Sequence, residues 1–160
     1  MADTSKDRER VFLFLQGPHG PFFYQLGRQL RSAGASVWRV GFNAGDSFFW
    51  PDKKSYIGYR DGSENWPQSF AAMLDEKSVT DVALYGDARP IHAQAINIAN
   101  SRGLRVHIFE EGYLRPYWVT YERDGSNGNS LLMKLSIGDM EAARNAHPFD
   151  PPVRPSHWGD

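Results

Sequence analysis

The chain has 160 residues, 41% of them hydrophobic and 23% charged, which suits one globular domain with its own core. A net charge of -1 supplies no bulk field for nucleic acid, so no nucleic-acid partner is expected. The absence of cysteine excludes disulfides and thiolate metal sites and fits a cytoplasmic protein.

Residues 1–10, "MADTSKDRER", are polar and charged and are expected to be a disordered N-terminus. The run "VFLFL" that follows is too short for a signal segment or a membrane span and reads as a first buried strand. A glycine-proline turn, "QGPHG", leads into a helix over Phe22 to Ser32, with Phe22, Phe23, Leu26 and Leu30 on one face and Gly34 as the stop. "SVWRVGF" is a second strand, which completes a βαβ unit and favours a parallel sheet. Residues 43–65 form a long polar-aromatic insertion, a length that points to function or to hidden short elements.

"WPQSFAAMLDEK" reads as a helix with Pro67 in its first turn, and "TDVALYG" as a third strand. "RPIHAQAINIANSRG" is a helix with Ile91, Ala95, Ile98 and Ala99 on one face and Gly103 closing it. "LRVHIFEEG" is a fourth strand, and "YWVTYERDGSNGNS" a further strand with a glycine-asparagine turn. "IGDMEAARNA" is a last short helix with Asp139 as its candidate cap. The tail, 147–160, carries four prolines and reads as a linker or a truncated end. The expected fold is therefore α/β: a Rossmann-like open parallel sheet with flanking helices, spanning residues 11–146.

In such a sheet, ligands bind beyond the carboxyl ends of the strands. Three of these ends carry polar turns. The first offers Gly17 and His19, in a spacing that suits either an anion at a helix start or a tight packing turn. The third offers Asp87, Arg89 and His92. Asp87 is either a site acid or the cap of the next helix; Arg89 suits a two-pronged grip on an anion; His92 is a ligand contact or a structural histidine. The fourth offers Glu110, Glu111 and Arg115. Glu110 directly continues a buried strand, where a carboxyl can acquire a shifted pKa suited to acid–base work, whereas Glu111 is expected to face solvent. Arg115 pairs with Glu110 or meets an acidic substrate. The histidines lack metal-site spacing, and no metal or cofactor is expected.

Three stretches, "FLQGPHGPFFYQLGRQLRSAG", "LYGDARPIHAQAINIANSRGL" and "VHIFEEGYLRPYWVT", resemble the capsule polysaccharide biosynthesis and export family, over roughly residues 11 to 135. That group includes retaining β-Kdo glycosyltransferases. The resemblance implies a GT-B-like architecture of two Rossmann-like halves with a cleft between them. It also implies CMP-Kdo as donor, a lysophosphatidylglycerol-linked acceptor, and work at the cytoplasmic face of the inner membrane of Gram-negative bacteria, with peripheral membrane contact.

On this resemblance Glu110 and Arg115 match the family's strand-end motif, and Asp87, Arg89 and His92 lie on the neighbouring turn. Glu110 is the candidate catalytic residue; Gly17, His19, Asp87, Arg89, His92, Glu111 and Arg115 are candidate substrate contacts. The donor half is expected beyond residue 160, so the chain is expected to be an acceptor-side N-terminal half without turnover of its own. Phe48, Phe49 and Trp50 are expected to touch the lipid acceptor. Two other readings stand beside this one: a non-catalytic interaction module of the export machinery, and an unrelated nucleotide-binding Rossmann domain centred on "QGPHG".

Overall fold

The computed structural model describes residues 9–112 and 118–146. It contains a six-stranded sheet in the order β3-β2-β1-β4-β5-β6. The strands are β1 (Val11–Phe14), β2 (Ser36–Gly41), β3 (Tyr56–Gly58), β4 (Asp81–Tyr85), β5 (Arg105–Glu111) and β6 (Val119–Arg123). The first five run parallel, while β6 pairs antiparallel with β5, from His107 opposite Arg123 to Glu111 opposite Val119. The α/β expectation holds, with the qualification that one edge strand reverses. The helices are α1 (Phe22–Ser32), α2 (Ala44–Phe48), α3 (Trp66–Glu76), α4 (Pro90–Ser101) and α5 (Ile137–Ala146).

Strand alternation sorts the core into two layers. Leu13, Leu15, Val82, Leu84, Val106 and Ile108 point to one face and meet Trp66, Phe70 and Leu74 of α3 and Ala95 and Ala99 of α4. The Trp66 indole N–H, at 2.9 Å from the Ile91 carbonyl, ties α3 to α4 without leaving a buried donor unpaired. Phe12, Phe14, Val37 and Ala83 point to the other face and meet Phe23, Leu26 and Leu30 of α1. Gly34 and Gly103 end α1 and α4 in the left-handed region, at φ of 87° and 68°, where a side chain would be strained.

The chain leaves β1 toward β2 on one side and meets β4 on the other. The reversal of strand order thus falls between β1 and β4, which places the expected crevice at Gln16 and Tyr85. The insertion contains α2, a single 3-10 turn at Lys53–Ser55 and the three-residue edge strand β3.

Four expectations need correction. The N-terminus is not disordered up to residue 10: Arg10 pairs with the buried Asp81, and Glu9 accepts a hydrogen bond from Ser36; residues 1–8 lie outside the described residues. Trp50 is no lipid contact. It is buried, with its indole N–H donated to the Ser55 hydroxyl at 3.0 Å and its ring against Phe14 and Tyr24. Asp87 does not cap α4, whose start has Arg89 in the cap position and no side-chain cap. Asp139 is not the cap of α5 but its first-turn partner: Ser136 accepts from the Asp139 amide at 3.2 Å while Asp139 accepts from the Ser136 amide at 2.9 Å, a reciprocal capping box. The tail from 147 and the Arg115 prediction lie outside the described residues.

Candidate functional site

A cleft of about 340 Å³ lies at the carboxyl ends of β1, β2, β4 and β5. It collects Gly17 and His19 from the first turn, Arg89 from the turn after β4, and Glu111 from the end of β5. Arg89 donates to the Gln16 side-chain oxygen, which closes the first turn against the turn after β4. Gly17 is required by packing, since a Cβ there would stand 2.5 Å from the Phe23 ring. The helix that follows has no side-chain cap at its N-terminus.

The cleft also contains residues the sequence reading passed over, Arg39, Asn43, Asp46 and Tyr85, together with Phe49, which was expected at the lipid acceptor. Arg39 is only 4% exposed and donates to Asp46 at 3.0 Å, with its guanidinium over the rings of Phe23 and Trp50. Burial lowers the Arg39 pKa, and the Asp46 charge opposes that shift. Asp46 also accepts from the Phe42 amide at 2.9 Å, and its own amide is capped by Asn43 at 2.9 Å. The β2–α2 corner is thereby fixed by one carboxylate. The strand-end rule applied to β2 would have found it, but the long insertion that begins there masked the strand end.

Strand alternation separates the two glutamates. Glu111 lies on the α1 side and lines the cleft while remaining exposed, as expected of a solvent-facing residue. Glu110 points to the opposite side, where its carboxylate stands 3.4 Å from the position of a Cβ on Gly86, itself at φ 77°. The structure therefore brings the predicted residues together in two groups rather than one. Gly17, His19, Arg89 and Glu111 share the cleft, while Asp87 and Glu110 share a second cluster with the β6 loop.

In this second cluster Asp87 accepts from the Ser126 amide at 3.1 Å and from the Asn129 side chain at 3.0 Å. The Ser126 hydroxyl reaches Glu110 at 3.5 Å, at the long limit for such a bond. Burial raises the Glu110 pKa, and the negative charge of Asp87 raises it further; the Ser126 contact opposes both. A carboxyl whose proton affinity is raised by its surroundings is suited to exchange a proton with a substrate group. Ser126 and Asn129 were legible only as turn residues, because their partner lies about forty positions away in sequence.

His92 is fully buried, with Nδ1 at 2.6 Å from the Gly86 carbonyl. A carbonyl only accepts, so Nδ1 carries the proton and Nε2 is the bare acceptor. Nε2 has no hydrogen-bond partner among the described residues. Burial lowers the His92 pKa, which keeps the ring neutral. Among the described residues no three metal-binding side chains converge, and no helix is long and apolar enough to cross a membrane.

The geometry joins a strand-end cleft to the segment from β4 through β6, and it is that segment which carries a family assignment. Residues 80–136 match the capsule polysaccharide biosynthesis protein family. Over these residues the chain resembles that family. The capsule polysaccharide modification protein LipB of Neisseria meningitidis serogroup A is 38% identical over 121 residues, 75% of this chain and 29% of LipB. The capsule polysaccharide export protein KpsS of Escherichia coli is 36% identical over 123 residues, 77% of this chain and 31% of KpsS. The chain thus spans less than a third of the length of these curated relatives. Among solved structures, MurG of Acinetobacter baumannii gives a TM-score of 0.49 at 17% identity, over 69% of this chain and 36% of that one. The matched family and both named relatives concern capsule polysaccharide.

Proposed function

We propose that this capsule-family chain is the acceptor-side domain of a GT-B-like glycosyltransferase, which moves Kdo from CMP-Kdo to a lysophosphatidylglycerol-linked acceptor. The observation that carries the reading is the placement of Glu110, with its raised pKa, beside Asp87 at the carboxyl edge of the sheet. Glu110 then acts on the acceptor hydroxyl or holds the acceptor sugar in place, and Asp87 tunes its proton affinity. Arg89 and His19, exposed in the cleft, meet the carboxylate of the sugar or the phosphate of the lipid. Arg115, in the "EEGYLRP" stretch that follows β5, is assigned to the same anion. The donor half belongs to a longer protein that works peripherally at the cytoplasmic face of the inner membrane. In that arrangement this domain takes no cofactor and binds the donor only weakly by itself.

Glu110→Gln in a full-length relative tests the chemistry, with Kdo transfer from CMP-Kdo and the melting temperature followed together. Transfer is expected to collapse with the melting temperature kept or raised. Full transfer by the variant would end the proposed role, and parallel loss of transfer and stability would make Glu110 structural. Calorimetric titration of the 160-residue chain with CMP-Kdo tests the division of labour. Clear binding would place the donor site within these residues.

A further inference from the structure

We propose that a cavity at the β2–β3 edge of the sheet, separate from the cleft, is a second sugar subsite that holds an acidic residue of an extended glycan. This rests on the glycan-acceptor reading above and adds to it a second contact point and a preference for length.

The cavity has a volume of about 550 Å³ and is lined by Phe42, Asn43, Phe48, Tyr56, Tyr59 and Arg60, among others. The volume is within the usual range of small-ligand sites. One wall is rigid. Tyr59 is 7% exposed, its ring is edge-on to Phe42 and Trp66, and its hydroxyl donates to the Gly62 carbonyl at 2.8 Å. The opposite element is open, since Phe48 is 77% exposed. Gly41 makes room for the floor, because a Cβ there would stand 1.9 Å from the Tyr56 hydroxyl oxygen.

Flat aromatic faces accept the C–H faces of a sugar ring, and tyrosine hydroxyls serve its hydroxyl groups. Arg60 is exposed at the rim, and among the described residues no carboxylate forms an ion pair with it. A guanidinium without a carboxylate beside an aromatic wall selects a sugar that carries its own negative charge.

The cavity also adjoins the cleft. Asn43 lines both, and α2 forms the ridge between them, with Phe48 on the cavity side and Phe49 on the cleft side. The two rings stand 5.2 Å apart, nearly perpendicular. Asp46 anchors this ridge to β2 through Arg39. A ligand long enough to cross α2 therefore contacts one ring on each slope, whereas a single sugar occupies one side only. A hydroxyl-lined pocket with a cation at its rim fits a glycan better than an acyl tail, which favours a groove lined by apolar side chains alone.

The test uses the 160-residue chain, with β-linked Kdo oligosaccharides of one to four residues as the probe and amide NMR as the readout. The monosaccharide is expected to shift the resonances of Gly17, His19 and Glu111 alone. The tetrasaccharide is expected to shift those of Phe48, Tyr59 and Arg60 as well. Phe48→Ala is expected to weaken the tetrasaccharide by about three- to tenfold, the worth of one aromatic contact, and to leave the monosaccharide unchanged. Arg60→Gln should act in the same direction and should be matched in wild type by added salt. A tetrasaccharide that perturbs the cleft and leaves the edge silent would overturn the second subsite alone. Silence at both places would overturn the glycan-acceptor reading with it. Edge resonances that respond to phosphatidylglycerol vesicles and to no oligosaccharide would reassign the cavity to a membrane contact and overturn the proposal.

Discussion

Glu110 and Asp81 are two carboxylates whose environments push them in opposite directions. Glu110 is raised by burial and by Asp87, so the folded chain binds its proton more tightly than the unfolded chain does. The stability from that proton is complete below the ordinary glutamate range and is lost as pH rises through the raised value. Glu110→Gln, neutral at every pH, should therefore melt above wild type at pH 8, with the gap closing toward pH 4. Thermal melts across this range check it, and a gap that stays constant with pH would contradict it. Burial also pushes Asp81 upward, but hydrogen bonds from His107, Arg10, Arg105 and Thr80 outweigh it and hold its pKa far below the usual carboxylate range. Its contribution is present above the ordinary aspartate range and is lost as pH falls through the folded value. Asp81→Ala should cost about 3 kcal/mol at pH 7, the low end for breaking a buried pair, because both arginines keep some access to water. Urea unfolding at pH 7 and pH 3 should show that cost shrinking in acid.

At the scale of elements, α1 meets the insertion through Tyr24, Arg31 and Gly27, and the approach is tightest at Gly27. A Cβ on Gly27 would stand 2.9 Å from the Trp50 ring and 3.3 Å from Val37. Gly27→Ala gains up to about 1 kcal/mol of helix propensity but overpacks at a cost of about 1–3 kcal/mol. The urea midpoint should fall, and a background of Trp50→Phe should recover most of the loss. The loop after β6 depends likewise on Asp87. Asp87→Ala removes the acceptor for Ser126 and Asn129 and should cost about 1–3 kcal/mol. Hydrogen exchange should then speed at Ser126 and stay slow in α1; uniform acceleration would mean that the loop is not an independent unit. These two contacts also mark where sequence reading stopped. Long apolar periods gave α1, α3, α4 and the four long parallel strands, because each carries enough residues to show its period. β3 has three residues and no readable period, and Trp50 looks like an exposed loop aromatic until Phe14 and Ser55 are brought beside it.

Across the whole molecule the sheet has an end tied together by ion pairs and an end that carries the concavities. Where the strands begin, Asp81 gathers Arg10, Arg105 and His107, and the His107 ring continues to the Tyr121 hydroxyl at 2.8 Å. Where they finish lie the cleft, the Glu110–Asp87 cluster and the aromatic cavity. The strand-end rule made that polarity legible in advance, and it directed attention to Glu110, Glu111 and Arg89, which the structure places at the carboxyl ends of β4 and β5. It did not show that adjacent glutamates would face opposite sides, nor that Arg39, a polar residue inside a strand pattern, would be buried by Asp46 from the next element.

This division bears on how the domain tolerates change. Among the residues lining the two concavities, His19, Phe48, Arg60, Arg89 and Glu111 are exposed, and none belongs to either core layer. A library randomised at these five positions should remain largely folded, because the ion cluster at the far end and both hydrophobic layers are untouched. In the proposed acceptor role, specificity would drift through the rim while the scaffold stays fixed, and directed evolution of new acceptors would begin at those five side chains.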